Sequence, residues 1–199
     1  MLMNCQRHEK SAETKTKFMD ALVSIWNKEK CSIDHITVKE ICAAAKTSRN
    51  TFYYYYEDVY SLLEEIENEL LAVHLHLFEN FPNAPLSNYR QGDPFPCIYE
   101  MNVHVRDKEP YYRALFGSYG NQSFILKTKK IVKKLVLKKL IYDGIQLENA
   151  DFNLELIASA VIGARQHWLF SNPDLTPFEV STMIGRFIYG QFYGLNRQP

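Results

Sequence analysis

Long apolar runs, paired cysteines and an excess of charge of either sign are all missing from this sequence of 199 residues. No stretch of about 18 apolar residues occurs, so we expect no membrane-spanning helix. The polar segment 1–16 lacks the apolar part of a signal peptide, which favours a cytoplasmic protein. The cysteines form no Cys-x-x-Cys pair, so we expect free thiols at Cys5, Cys31, Cys42 and Cys97.

Motifs of enzymes and metal sites are missing as well. The sequence has no Gly-x-Gly-x-x-Gly, no Walker loop and no Gly-x-Ser-x-Gly. His74 and His76 are two residues apart and would point away from each other on a helix, so no metal site is predicted. We therefore predict neither an enzyme nor a cofactor.

The formal net charge is zero, which by itself is weak support for nucleic-acid binding. Segment 1–57 holds 9 Lys/Arg against 7 Asp/Glu, and this small excess decides nothing. Any prediction of DNA binding must rest on local pattern.

Helical periodicity is what the sequence has throughout, and sustained strand-like alternation does not occur. We predict an all-α fold. The predicted helices cover about 12–27, 38–45, 48–55, 59–78, 95–106, 109–116, 123–142, 152–170 and 177–193.

Helix starts are marked by capping residues. Thr37 and Glu40 have the spacing of a capping box, and Pro177 after Thr176 is a strong start signal. The remaining predicted N-caps are Ser11, Thr47 and Asp58.

The second and third predicted helices are short and separated by a few residues, which is the arrangement of a helix-turn-helix. In that motif the second helix of the pair enters the major groove. Ser48, Arg49 and Asn50 open this helix. Arg can bond guanine bidentately and Asn can do the same with adenine, so we predict base contacts by these three residues.

Hydroxyl groups and lysines around the same helix are candidates for phosphate contacts. The free amides at the start of the second helix also attract anions. The predicted phosphate contacts are Thr37, Lys39, Lys46, Thr47, Thr51, Tyr53 and Tyr54, and Lys15 could add charge.

The segments Ile-Thr-Val-Lys-Glu-Ile at 36–41 and Ala-Lys-Thr-Ser-Arg-Asn-Thr-Phe-Tyr at 45–53, followed by the aromatic Tyr56 and the pair Leu62-Leu63, resemble the TetR/AcrR family. The resemblance is specific over about 18–70. It implies a DNA-binding domain at 1–57 and a helical dimerisation and effector-binding domain at 58–199. It also implies a core formed by Phe18, Leu22, Ile41, Ala45, Phe52 and Tyr56.

The resemblance favours a repressor that binds double-stranded DNA at a palindromic operator as a homodimer and is released by an unknown small-molecule effector. Two positions depart from the family pattern. Lys46 stands where a glycine is usual, and Val59 where a lysine often contacts phosphate. These departures keep open a co-regulator that acts through protein–protein contacts without binding DNA.

Two features of the second domain suggest partners. Small residues in the last two helices permit close helix approach, so we predict the homodimer interface there; they are Gly163, Ala164, Gly185 and Gly190. An effector pocket could be lined by Tyr111, Tyr112, Phe116, His167 and Trp168. The alternatives are a tight corner between helices for the two tyrosines, and core or dimer interface for Trp168.

The helix at 123–142 carries seven lysines opposite an apolar stripe. A basic amphipathic helix of this kind can lie on an anionic membrane surface, which is a second alternative function. A solvated face above a buried stripe is the commoner arrangement, so we predict no membrane partner.

Overall fold

The computed structural model describes residues 2–79, 94–146 and 148–193. Within these residues the chain forms nine α-helices and a short 3-10 turn at Ile33–His35, with no β-strand. The helices are α1 (Leu2–Glu29), α2 (Val38–Ala44), α3 (Arg49–Tyr55), α4 (Val59–Glu79), α5 (Pro96–Asp107), α6 (Glu109–Phe116), α7 (Gln122–Tyr142), α8 (Ala150–Ser171) and α9 (Pro177–Tyr193). The all-α prediction is confirmed.

Two predicted helix starts are wrong. Ser11 lies inside α1 and does not cap it, because no proline or glycine interrupts the polar segment and the helix continues back to Leu2. The cap of α3 is Ser48 and not Thr47, since the Ser48 side chain accepts from the Thr51 amide at 3.0 Å. Predicted bounds of the other described helices agree with the structure to within two residues.

The other predicted caps are confirmed. Thr37 and Glu40 form a complete capping box, in which the Thr37 amide donates to Glu40 Oε2 at 2.8 Å. The Ser61 amide donates to Asp58 Oδ1 at 2.8 Å at the start of α4. The Thr176 amide likewise donates to a Glu179 carboxylate oxygen at 2.8 Å before α9.

An apolar core fixes α3 against α1 and α2. Phe18, Leu22, Ile41 and Phe52 are completely buried, and the six predicted core residues all lie in this cluster. The rings of Phe18 and Phe52 meet edge to face with centroids 5.2 Å apart. The orientation of α3 is therefore set by close aromatic packing from one side.

The buried residues from α4 onwards belong to the same continuous cluster as those of α1–α3, and this later part of the cluster is called the second core. Helix α7 packs on α4 and α8, and α9 packs on α5 and α8. Tyr112, Phe116 and Phe124 form an aromatic cluster in its centre. Helix α1 also contacts α6, where the Asn27 side chain donates to the Pro110 carbonyl at 2.7 Å.

Candidate nucleic-acid interface and effector domain

Helix α3 presents a polar face away from the core. Arg49, Asn50, Tyr53 and Tyr54 are exposed, with Tyr53 57% and Tyr54 75% accessible, whereas Phe52 is completely buried. Arg49 and Tyr53, like Asn50 and Tyr54, are four residues apart and so lie on the same side of the helix. One face of α3 thus anchors the helix and the other is open to a partner.

Arg49 has no ion pair or hydrogen bond within the described part of the chain. Arg49 is therefore not engaged in a surface salt bridge with the described residues. Ser48 is exposed, but its hydroxyl is occupied by the Thr51 amide and lies 2.8 Å from the Thr51 hydroxyl. Of the three predicted base-contacting residues, Arg49 and Asn50 therefore have the freer side chains.

The turn between α2 and α3 is a Schellman motif. The Thr47 amide donates to the Cys42 carbonyl at 3.0 Å and the Lys46 amide to the Ala43 carbonyl at 3.3 Å. Lys46 has a φ of +52°, in the left-handed region that favours glycine. Lys46 thus takes a backbone conformation that favours glycine, at a cost in backbone strain.

The predicted phosphate contacts differ in accessibility. Lys39 and Lys46 are exposed, whereas Thr47 and Thr51 are half-buried. The Thr37 hydroxyl accepts from the Glu40 amide at 3.3 Å and lies 2.7 Å from Glu40 Oε2. These Thr37 hydrogen bonds hold the pKa of Glu40 below its ordinary value, so a negative charge stands at the head of α2.

Lys15 is engaged in contacts within the protein. Its ammonium group lies 2.7 Å from Glu65 Oε1 and over the rings of Tyr55 and Tyr56, at 5.9 and 5.7 Å from their centroids. Lys15 therefore ties α1 to α4. Val59, where the family often has lysine, is 8% accessible and packs in the core.

The lysine-rich helix α7 is largely neutralised by its neighbours. Ion pairs join Lys127 to Glu67 (2.6 Å), Lys129 to Glu155 (3.0 Å), Lys133 to Glu155 and Asp151 (3.2 and 3.3 Å) and Lys139 to Asp143 (3.1 Å). Lys130, Lys134 and Lys138 remain exposed. This arrangement favours a solvated face. No helix in the described ranges combines the length and the hydropathy needed to cross a membrane.

Helices α8 and α9 form an open apolar groove. The groove residues are Ala160, Ala164, His167, Trp168, Val180, Met183, Ile184 and Phe187, among others. Met183 and Phe187 are 49% and 40% accessible despite being apolar. A Cβ at Gly163 would meet no neighbouring atom, so this glycine leaves the α8 surface open. Gly185, by contrast, is buried.

The five predicted pocket residues have different surroundings in the described structure. Tyr111 donates its hydroxyl proton to Asp20 of α1. Tyr112 is completely buried, with its hydroxyl 2.8 Å from His74 Nε2. Phe116 and His167 border a shallow surface depression between α6 and α8.

Trp168 is packed and not open. Its indole nitrogen donates to the Leu175 carbonyl at 2.8 Å, and the Arg106 guanidinium lies 4.5 Å from the ring centroid. Only a part of this side chain borders the groove. The surroundings of Trp168 thus agree better with a core or interface residue than with a pocket residue.

The sequence did not reveal a set of polar side chains buried within the second core. Arg165 of α8 is 2% accessible, and its Nε donates to Asn102 Oδ1 of α5 at 2.9 Å. Asn102 in turn donates from Nδ2 to Ser181 Oγ of α9 at 2.9 Å. A signal was present, because Arg165 falls four residues after Val161 on the apolar stripe of α8.

Comparison with known proteins gives concordant matches. A model of the TetR-type "Transcriptional regulator C-terminal region" matches residues 92–190, about half of the chain. The HTH-type transcriptional regulator YxbF of Bacillus subtilis (strain 168) is 40% identical over 60 residues, which are 30% of this chain and 15% of that protein. This chain therefore matches only a small part of that relative's length.

Solved structures share the fold over most of the chain. A TetR transcriptional regulator from Streptococcus agalactiae 2603V aligns with a TM-score of 0.64 and 19% identity, covering 93% of this chain and 98% of the other. SmeT in complex with triclosan aligns with a TM-score of 0.57 and 14% identity over 89% and 90% of the chains. The helical architecture, the helix-turn-helix and the matched C-terminal region together lead to one assignment: this chain is a transcriptional regulator of the TetR family, and not an enzyme.

Proposed function

We propose that the protein binds double-stranded DNA as a homodimer, in the cytoplasm, and represses transcription until an effector releases it. Residues 1–57 form the DNA-binding domain and residues 58–199 the dimerisation and effector domain. The observation that carries the proposal is the exposed face of α3, with Arg49, Asn50, Tyr53 and Tyr54 opposite the buried Phe52. Arg49 and Asn50 have the chemistry to read guanine and adenine, and the tyrosines can donate to phosphates.

Dimerisation is supported by the groove on α8 and α9. The exposed apolar side chains of α8 and α9 in one subunit would pack against the same two helices of a second subunit. The result is a four-helix interface with two-fold symmetry. Met183 and Phe187 would be covered, and the open surface above Gly163 lets a partner helix approach closely. The two copies of α3 would then face successive major grooves.

Effector control follows from that geometry. Two recognition helices dock together only at one separation, about one helical turn of DNA or a related spacing, so a ligand-induced change in domain angle weakens both contacts. The structure of SmeT contains triclosan, a small molecule. In the present chain, the aromatic residues of α6 and α8 remain the proposed surroundings of an effector: Tyr111, Tyr112, Phe116, His167 and Trp168.

A gel shift with the protein's own promoter region tests DNA binding. We expect Arg49→Ala to lose about 5- to 150-fold in affinity for the operator, the equivalent of one base-reading arginine. Lys130→Ala is the control, because it removes an exposed cation on α7 with no ion pair in the described residues. Equal binding by Arg49→Ala and the native protein would refute α3 as the recognition helix.

A co-regulator that acts through protein–protein contacts is the second candidate. The buried Val59 removes a phosphate contact common in the family, and the carboxylate of Glu40 beside Thr37 repels phosphate at the head of α2. Binding to duplex DNA that weakens steeply with salt would exclude this candidate. The ion-paired lysines of α7 speak against the membrane-surface alternative, and co-sedimentation with anionic liposomes tests it.

A further inference from the structure

Arg165 brings a full positive charge into the second core without a carboxylate to balance it. Its side chain is 2% accessible and lies on the apolar stripe of α8. No salt bridge in the described part of the chain includes it. Arginine is rarely buried in this way unless it is paired, because an uncompensated buried charge is strongly unfavourable.

The hydrogen bonds of Arg165 leave donors unused. A guanidinium has five N–H donors, and Nε uses one on Asn102 Oδ1 at 2.9 Å. Nη1 is buried and has no acceptor in the described structure. Asn102 is held in place by its own bond to Ser181 Oγ at 2.9 Å, so the guanidinium is oriented by α5 and α9.

The titratable groups near Arg165 are neutral at pH 7. Burial raises the pKa of Tyr112 and of Cys97 far above their ordinary values, so neither carries a negative charge. Burial, together with the charge of Arg165, lowers the pKa of His74 to about 3. Burial lowers the pKa of Arg165 to about 10, which still leaves it protonated.

We propose that Arg165 is the anchor of an anionic effector, an organic carboxylate whose apolar part lies among the aromatic residues of the second core. This inference rests on the proposed effector control and specifies the chemical class of the ligand. A carboxylate accepts two parallel hydrogen bonds from a guanidinium and balances its charge. It therefore supplies the hydrogen-bond acceptor and the negative charge that Arg165 lacks.

The same contacts connect the ligand to the dimer surface. Asn102 joins Arg165 to Ser181 of α9, and α9 carries Met183 and Phe187 on its exposed side. An anion that draws Arg165 into a new position also changes its bond to Asn102. The effector site and the α8–α9 interface thereby share one helix.

Thermal unfolding of the full-length protein without DNA tests the proposal. The ligands are sodium acetate, butanoate, octanoate and benzoate, each compared with its neutral amide at equal ionic strength. We expect at least one carboxylate to raise the Tm of the native protein by about 5–10 °C at a concentration about 100 times its Kd. The matching amide gives no rise.

Arg165→Met identifies the anchor, and Lys130→Met is the control for loss of one positive charge. Arg165→Met is expected to lose the carboxylate-dependent rise, while Lys130→Met keeps it. Without ligand, the Arg165→Met variant should be at least as stable as the native protein, because an apolar side chain of similar volume replaces an uncompensated buried charge. The proposal is overturned if no carboxylate raises the native Tm, or if Arg165→Met retains the rise.

Nitrogen NMR of the native guanidinium is the readout should Arg165→Met not fold. The active carboxylate must shift the Arg165 Nε and Nη signals and its amide must not; unshifted signals overturn the proposal.

Both measurements omit DNA, so their result is separate from that of the gel shift. Failure of operator binding with an intact Tm response contradicts the proposed function alone, and loss of the Tm response with intact operator binding contradicts the carboxylate effector alone.

Discussion

The two parts of the molecule are packed by different chemistry. Every buried side chain described between residues 10 and 57 is apolar or aromatic. The later part buries polar and charged groups as well, namely Glu67, His74, Asn102, Thr128, Lys139, Arg165 and Ser181. The first part thus buries no charged side chain, whereas the second buries a polar network, which is costly unless it serves specificity or a ligand.

The largest expected effect concerns the core below α3. Phe52→Ala removes a completely buried ring that packs on Phe18 and should lower the free energy of unfolding by about 3–5 kcal/mol. Urea denaturation measures the loss. The control is Tyr53→Ala, at an exposed position of the same helix, with a change within about 0.5 kcal/mol. Equal losses in the two variants would contradict the assigned faces of α3.

Acid should weaken the second core more than the first. His74 is buried as the neutral base with its pKa lowered to about 3, so the unfolded chain binds its proton at higher pH than the folded chain does. Stability from this group is complete above about pH 6.5 and falls by roughly 1 kcal/mol per pH unit as the pH drops from there towards 3.

Two variants, His74→Gln and a control at an exposed histidine, isolate the contribution of His74 to the pH dependence of stability. His74→Gln should flatten the dependence of unfolding free energy on pH between 6.5 and 4.5, as measured by urea titrations at each pH. His35→Gln, at an exposed position in the 3-10 turn, should leave the slope as in the native protein. An unchanged slope in His74→Gln would show that His74 does not carry the effect.

Loss of a helix cap should lower the free energy of unfolding equally in both parts of the molecule, because capping is a local interaction. Thr37→Ala and Thr176→Ala each remove a capping box and should lower the unfolding free energy by about 1 kcal/mol. Urea denaturation of the two variants provides the measurement. If only one variant is less stable than the native protein, equal contributions of the two caps are contradicted, and tertiary contacts override the cap at the other site.

The smallest expected effect is a gain. Lys46 at φ +52° bears the left-handed strain of a residue with a Cβ, so Lys46→Gly should stabilise the protein by about 0.5 kcal/mol after the entropy lost by glycine is subtracted. The thermal midpoint should rise slightly. A fall would show that the lysine side chain stabilises the turn by more than its backbone strain costs.

Local signals explain which parts of the fold were predictable. Thr37 with Glu40 and Thr176 with Glu179 are contacts across three residues, so the sequence pattern shows them directly. The start of α1 was mistaken because polar residues without proline or glycine can remain helical far beyond the packed stripe.

Contacts distant in sequence explain the rest. Tyr111 binds Asp20 across 91 residues and Arg165 binds Asn102 across 63, and neither pairing leaves a trace in periodicity. The sequence therefore could not show which partners the predicted pocket residues contact. In contrast, the exposed face of α3 follows from the spacing of Phe52 and Tyr56, which is why its residues could be named beforehand.

The salt dependence of binding to a fluorescent operator duplex, followed by anisotropy, tests the reading role of α3 most directly. The logarithm of the association constant should fall linearly with the logarithm of salt concentration. Lys39→Ala should reduce the slope by about one, whereas Arg49→Ala should reduce affinity for the operator but not for random duplex. An association constant independent of salt, or an Arg49→Ala variant as selective as the native protein, would contradict it.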